Sequence, residues 1–466
     1  SQQSEEVRSI MLETSILDQL SAPLCDAVID KPGSQAFLDQ LERANLFLIP
    51  LDDDQHWYRY HHLFAEFLRK RLKQLLPERL PQLHQRATDW YSENHMYSEA
   101  IRHALAAGDM ERVQQSAAGD ALAMVENSEL SDILKQFEEL PDQQLSPDPW
   151  AIIAYAWAKA YADPSIGMND LIQKVEQVLV CMEEDAEKQH LTSHLAAIRA
   201  YLAWMKGEAE LALELVQHGL ENLPEEDWAA RVHLLNIKGL ALQYRGNFLE
   251  ATQSFEEALA AGHMIGRMHE ILYTSSNLAY ANMLQGHLHE AFSLCQAAIC
   301  QAEETGQSSQ KFPVLAHAYA TRSIIQLEWN ELESAAASAR YGVTLAEQWG
   351  QADALHFALT CFSIILGAAG EFEEALAVNQ RAMQVARTIS TWYIRISAEN
   401  EIMLLLAKGD VLGAANKFTG YWLTSEDDRK HEPQLVIVTL LYRLNLFPDV
   451  VNLLEPLHDD FKQKGW

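Results

Sequence analysis

One short motif returns six times along this chain and limits what the chain can become. GEAELA begins at Gly207, GNFLEA at Gly246, GHLHEA at Gly286, NELESA at Asn330, GEFEEA at Gly370 and GDVLGA at Gly409, with successive starts 39, 40, 44, 40 and 39 residues apart. Self-similarity at a near-constant period of this length marks a stack of supersecondary units. Each copy lies between two stretches of helical rhythm. A glycine suits the left-handed turn that ends one helix, and the alanine five residues later lets the next helix approach closely. In GNFLEATQSFEEALAAG, the residues Ala251, Phe255, Ala258 and Leu259 fall on one apolar stripe of a helix. One helical hairpin cannot bury such a stripe alone, so six in series should cover one another.

The repeats resemble the tetratricopeptide repeat (TPR) over roughly residues 190–423. They exceed that family's period of about 34 residues by about one helical turn, most lack its terminal proline, and Asn330 stands where the other copies have glycine. The resemblance implies an all-α fold, a right-handed TPR-like superhelix of helical hairpins, in which the first helix of each hairpin lines the concave side. Positions 13, 10 and 6 residues before each turn residue should then face the groove. Thirteen before come His194, His233, Tyr273, His317 and Phe357, and the inner positions of the middle repeats give Asn236, Ser276 and Tyr280. The expected effector-binding set is therefore His194, His233, Asn236, Tyr273, Ser276, Tyr280 and His317. Flat rings with donors and acceptors suit a neutral polyhydroxylated or aromatic effector, a sugar among them, better than a highly charged one. The same side chains also read as packing between adjacent hairpins. Trp204, Trp329, Trp349 and Trp392 occupy helical apolar positions and read as core.

Ahead of the repeats the rhythm changes. Ser21 and Ser34 are placed as helix caps, with Pro32-Gly33 separating two short helices. LFLIPL and HWYRYH, joined by DDDQ, read as a hairpin, and HLFAEFLRKRLKQLL then returns to helical periodicity. This order predicts a small winged-helix module. The string LERANLFLIPLDDDQHWYRYHHLFAEFLRKRL resembles the winged-helix segment of the large ATP-dependent transcription activators of the MalT type, which belong to the LuxR family and to the STAND NTPases. In that family a nucleotide-binding domain precedes the winged helix, a helical arm and a superhelical sensor follow it, and a LuxR-type helix-turn-helix usually ends the chain.

The resemblance divides the chain into a winged-helix domain at residues 1–76, a helical arm at 77–140 and a TPR-like sensor at 141–466. It places His61, in YHHLF, where the family's winged-helix histidine contacts the β-phosphate of ADP in the resting state; a structural histidine bracing the hairpin is the other reading. A metal pair at His61 and His62 is not expected, because adjacent side chains diverge, and neither metal ligands nor catalytic residues are assigned. No GxxxxGK[ST] phosphate loop occurs, and FKQKGW ends the sequence without a basic recognition helix. The expectation is a non-enzymatic regulatory portion with no cofactor of its own, ATP or ADP belonging to the intact protein.

A formal charge of −31 opposes binding to the phosphate backbone of nucleic acid. Five cysteines without a C-x-x-C pair, an acidic start unlike a signal peptide, and no bilayer-length apolar run point to a cytoplasmic chain off the membrane. The expected partner is a small-molecule effector or a regulatory protein, with self-association of the activated intact protein. The competing reading is a TPR-type scaffold that holds a peptide or protein segment, its acidity steering basic partners.

Overall fold

The computed structural model describes residues 5–43, 48–51, 57–94, 96–109, 112, 149–162, 167–304 and 312–422. The chain forms two compact units, Ser1–Ala158 and Lys159–Trp466.

In the first unit, helices α1 (Glu5–Thr14), α2 (Ala22–Ile29) and α3 (Ser34–Arg43) precede strands β1 (Leu48–Pro50) and β2 (Tyr58–Tyr60), and α4 (His62–Leu75) follows. The strands are antiparallel, with Leu48 opposite Tyr60 and Pro50 opposite Tyr58. The Tyr58 N–H donates to the Leu20 carbonyl at 2.8 Å and its carbonyl accepts the Leu20 N–H at 2.7 Å, an isolated antiparallel bridge that ties β2 to the segment between α1 and α2. Alternation explains the hairpin: Tyr58 and Tyr60 point into the core and Arg59 outward. The buried Tyr60 hydroxyl meets Thr14 Oγ1 at 2.9 Å, tying the sheet to α1. Ser21 occupies the N-cap of α2 without a side-chain bond, whereas Ser34 opens α3 and its backbone N–H donates to Asp26 at 2.8 Å. One core runs from Val7 through Leu24, Leu41 and Leu72 to Leu83, Tyr91 and Ala100. Helices α5 (Leu80–Glu93) and α6 (Tyr97–Ala107) therefore pack on the winged-helix core across the sequence boundary at 76 and 77. The expected boundary at 140 lies outside the described residues.

Helix α7 (Pro149–Ala162) contains the division between the units, and α8 (Met168–Cys181) opens the second. Six hairpins follow: α9–α10 (Ala186–Met205, Ala209–Asn222), α11–α12 (Trp228–Tyr244, Phe248–Ile265), α13–α14 (Met268–Leu284, Leu288–Glu304), α15–α16 (Ala316–Glu328, Leu332–Trp349), α17–α18 (Ala352–Ala368, Phe372–Ile389) and α19–α20 (Thr391–Lys408, Val411–Trp422).

Every hairpin turns in the same way. Gly207, Gly246, Gly286, Asn330, Gly370 and Gly409 all have φ between 60° and 91°. After each, the next N–H bonds back five residues, as Asn247 does to Leu242 at 2.9 Å and Glu331 to Gln326 at 2.8 Å. This pairing satisfies carbonyls that the ending helix leaves orphaned. Asparagine replaces glycine at 330 because it is one of the few residues that tolerate the left-handed region. Five residues past each turn residue, Ala212, Ala251, Ala291, Ala335, Ala375 and Ala414 are all fully buried, at 0% exposure. The methyl group leaves room for the preceding helix to pack nearly on backbone. Gly239 does the same, since a Cβ there would lie 2.5 Å from the Phe255 ring.

Candidate functional site

The first helices of the hairpins line a cavity of about 450 Å³ inside the second unit. Trp204 comes from α9, Leu240 and Tyr244 from α11, Tyr273, Asn277 and Tyr280 from α13, His317 and Ile324 from α15, Asp353, Phe357 and Ile364 from α17, and Trp392, Tyr393 and Ile396 from α19. The series is drawn into a ring by its ends. Ser390 donates to the Met205 carbonyl at 2.7 Å, and the Tyr393 hydroxyl meets Met205 Sδ at 3.6 Å. The Trp204 and Trp392 rings lie edge to face, 6.1 Å apart.

Periodicity sorts the lining. Residues 13 and 6 positions before the turn face inward in the middle repeats: Tyr273 with Tyr280, His317 with Ile324, Phe357 with Ile364. These pairs are seven residues apart, two helical turns along one face. The position 10 before the turn is used differently. Asn236 is buried and donates to Val232 at 3.0 Å and to Thr274 Oγ1 at 2.9 Å, while Ser276 donates to its own helix at Leu272. Both fill the seam between hairpins. Of the seven residues expected in the groove, the structure brings Tyr273, Tyr280 and His317 to the cavity. His233 instead meets the Tyr161 hydroxyl through Nδ1 at 3.0 Å, and His194 turns to Asp227 at 3.0 Å.

Rings dominate the wall. Tyr280 stands edge-on to Phe357 at 5.1 Å, His317 stacks on Phe357 at 5.3 Å, and Tyr244 stands against Trp392 at 5.1 Å. Trp204 is buried, as its helical position predicts, and Trp392 is half-buried; the chain's return at Ser390 sets both against the cavity. No Lys or Arg is present among the described lining residues. The one carboxyl is Asp353, which burial pushes up to about 6 against the pull of two backbone hydrogen bonds. After burial, its charge is the next influence raising the hydroxyls of Tyr273 and Tyr393 above the usual phenol range. Burial pulls His317 and His356 down to about 4, so both imidazoles are neutral near pH 7. Three polar atoms of lining residues, Gln243 Oε1, His317 Nε2 and Thr360 Oγ1, have almost no accessible surface and no hydrogen-bond partner among the described residues.

In the first unit, His61 precedes α4, and its carbonyl accepts the N–H groups of Phe64 at 2.8 Å and Ala65 at 3.0 Å. Its ring lies 4.5 Å from that of His62. Elsewhere the structure gathers a set that sequence reading did not assign. His190, His194 and Asp227 place one ligand atom each within 4.8 Å of one another. The signal was HLTSH at 190–194, two histidines one helical turn apart.

A winged-helix module and a solenoid of TPR-like hairpins around an internal chamber define the chain as a multidomain helical-repeat protein. It belongs to the MalT family: the MalT winged helix domain matches residues 1–80 and the MalT-like TPR region matches residues 193–466. The HTH-type transcriptional regulator MalT of Cronobacter sakazakii is 26% identical over 347 residues, covering 73% of this chain and 37% of that protein. Its counterpart in Klebsiella pneumoniae is 28% identical over 338 residues, covering 72% and 37%. The chain thus spans 37% of the length of these relatives. A Rap protein solved in complex with Competence and Sporulation Factor shares the fold at a TM-score of 0.54 and 12% identity, covering 80% of this chain and 99% of that one. Among the described residues no helix is long and apolar enough to cross a membrane.

Proposed function

We propose that this chain is the non-catalytic sensor region of a cytoplasmic MalT-type transcriptional regulator, and that its effector is a neutral, polyhydroxylated small molecule held in the chamber of the second unit. The observation that carries this reading is a wall of aromatic rings interrupted by Gln243, Asn277, His317 and Thr360, side chains that can donate or accept hydrogen bonds. A hydrogen bond from such a group to a ligand hydroxyl contributes about 0.5–1.5 kcal/mol. The rings offer flat faces to the C–H surface of a sugar. With Asp353 and without a lysine or arginine, the wall disfavours an anion. A volume of about 450 Å³ holds a small oligosaccharide unit rather than a folded domain.

Occupancy acts on the ring's closure. A ligand touching α9, α13, α17 and α19 together favours the state in which Met205 and Ser390 are bonded, and a differential affinity of about 1–3 kcal/mol between two states is enough for a switch. His61 at the head of α4 is the proposed nucleotide-sensing group, reporting the state of an ADP-binding domain in the intact regulator, which supplies the ATP or ADP. The winged-helix domain at 1–76, arm at 77–140 and sensor at 141–466 then form switch, lever and receptor.

The test is calorimetry of the chain against neutral oligosaccharides and a panel of basic peptides. Binding of an oligosaccharide that weakens at least tenfold in Thr360→Val and in His317→Phe supports the chamber as its site. Heat with peptides alone supports a TPR scaffold, the second reading, since the Rap protein of this fold was solved with a factor bound. In the intact regulator, His61→Ala should raise activity in the absence of effector.

A further inference from the structure

We propose that His190, His194 and Asp227 form a binding site for a divalent transition-metal cation, zinc first among them, which clamps the first hairpin to the second. This site is separate from the chamber and stands whether or not the chamber binds an effector.

The ligand set comes from two helices. His190 and His194 are four residues apart near the start of α9, so both imidazoles leave the same face of the helix. Paired histidines at this spacing are a recurrent way for one helix to grip zinc. Asp227 caps α11: its Oδ1 accepts the Ala230 N–H at 2.9 Å, which fixes the carboxylate and turns Oδ2 toward the histidines. His190 Nε2 lies 2.5 Å and His194 Nε2 3.0 Å from that one oxygen. Two imidazoles converge on a single carboxylate oxygen through the same ring nitrogen, which gathers three donor atoms at one point.

The chemistry of the set suits a borderline ion. Imidazole nitrogen and carboxylate oxygen are ordinary zinc donors, and three protein ligands leave the fourth tetrahedral position to water. With bonds of about 2.0–2.2 Å, tetrahedral donors sit about 3.4 Å apart. Seating the ion therefore needs Oδ2 and the two rings to part by less than about 1 Å. His190 can give way, since its side chain is 22% exposed, whereas His194 at 4% is held. Each imidazole then binds the ion through the Nε2 lone pair and carries its remaining proton on Nδ1.

Because α9 and α11 are the first helices of successive hairpins, the ion would fasten the end of the stack where no earlier hairpin of the motif series covers it. The test uses the untagged chain with Cys181 and Cys300, the exposed thiols, changed to serine. Titration with Co(II) should give the visible absorption of a tetrahedral centre, displaced by Zn(II), and Zn(II) should raise the melting temperature. His194→Gln and Asp227→Asn, the second keeping a competent cap, should each lower affinity at least tenfold. Circular dichroism shows that each variant is folded. Absence of tetrahedral bands in the parent, or affinity unchanged from the parent in both variants, overturns the site.

Discussion

Met205 and Ser390, 185 residues apart in sequence, share a hydrogen bond of 2.7 Å between the end of one helix and the cap of another. Around it, Trp392 covers Gly207, where a Cβ would come within 3.3 Å of the indole. Trp392→Ala should remove about 2–4 kcal/mol of stability, and Ser390→Ala about 1 kcal/mol. Hydrogen exchange locates the effect: amides at 203–208 should exchange faster in Trp392→Ala while those of α15 and α16 stay protected. Unchanged exchange at 203–208 would show that the ring is not closed in solution.

Gly239 allows α11 to pack on Phe255. Helix propensity favours alanine over glycine by about 1 kcal/mol, but a methyl 2.5 Å from the ring forces overpacking that costs about 1–3 kcal/mol. The clash should win, and Gly239→Ala should denature at lower urea concentration than the parent. A midpoint that rises would mean that the Phe255 ring moves aside freely.

Asn330 holds the fourth turn at φ 60°. Asn330→Gly should be neutral or stabilise by a few tenths of a kcal/mol, and Asn330→Ala should destabilise by about 1 kcal/mol. Paired urea titrations decide it. An alanine variant as stable as the parent would refute the left-handed turn.

Acid should act on the second unit through opposed groups. His317 and His356 have folded values of about 4, below the ordinary 6.5, so their contribution is present above pH 6.5 and lost as the pH falls toward 4. Asp353 runs the other way: its folded value of about 6 exceeds the ordinary 3.8, so its contribution is present below about pH 4 and lost as pH rises through 6. Asp353→Asn should therefore gain on the order of 1–3 kcal/mol at pH 7 and lose stability more steeply than the parent on acidification. Melting temperatures between pH 7.5 and 4.5 measure both; identical slopes would place Asp353 in contact with solvent.

The parts legible in sequence were those written locally. Turn glycines, the alanine five residues later and the alternation around Tyr58 and Tyr60 each specify backbone geometry within a few residues, and the structure has them at the expected places. The site was half legible. Helical spacing identified the inward rows that carry Tyr273, Tyr280 and His317, but it does not tell groove from seam for the row of Asn236 and Ser276, which lies three or four residues, about one turn, from each of them. Trp204, Trp392 and Asp353 could not be read at all as neighbours of one cavity, because their meeting depends on curvature summed over five hairpins. The pairing of His190 and His194 was visible as a helical interval; Asp227, 33 residues further on, required the fold.

The six alanines with no exposed surface have a mechanical meaning. A buried side chain that is already a single methyl group has little left to compress, so neighbouring helices yield to a guest more readily by sliding or rolling than by closing together. Small slips of that kind, repeated at each contact, add up along the stack to a displacement at its ends far larger than any single step.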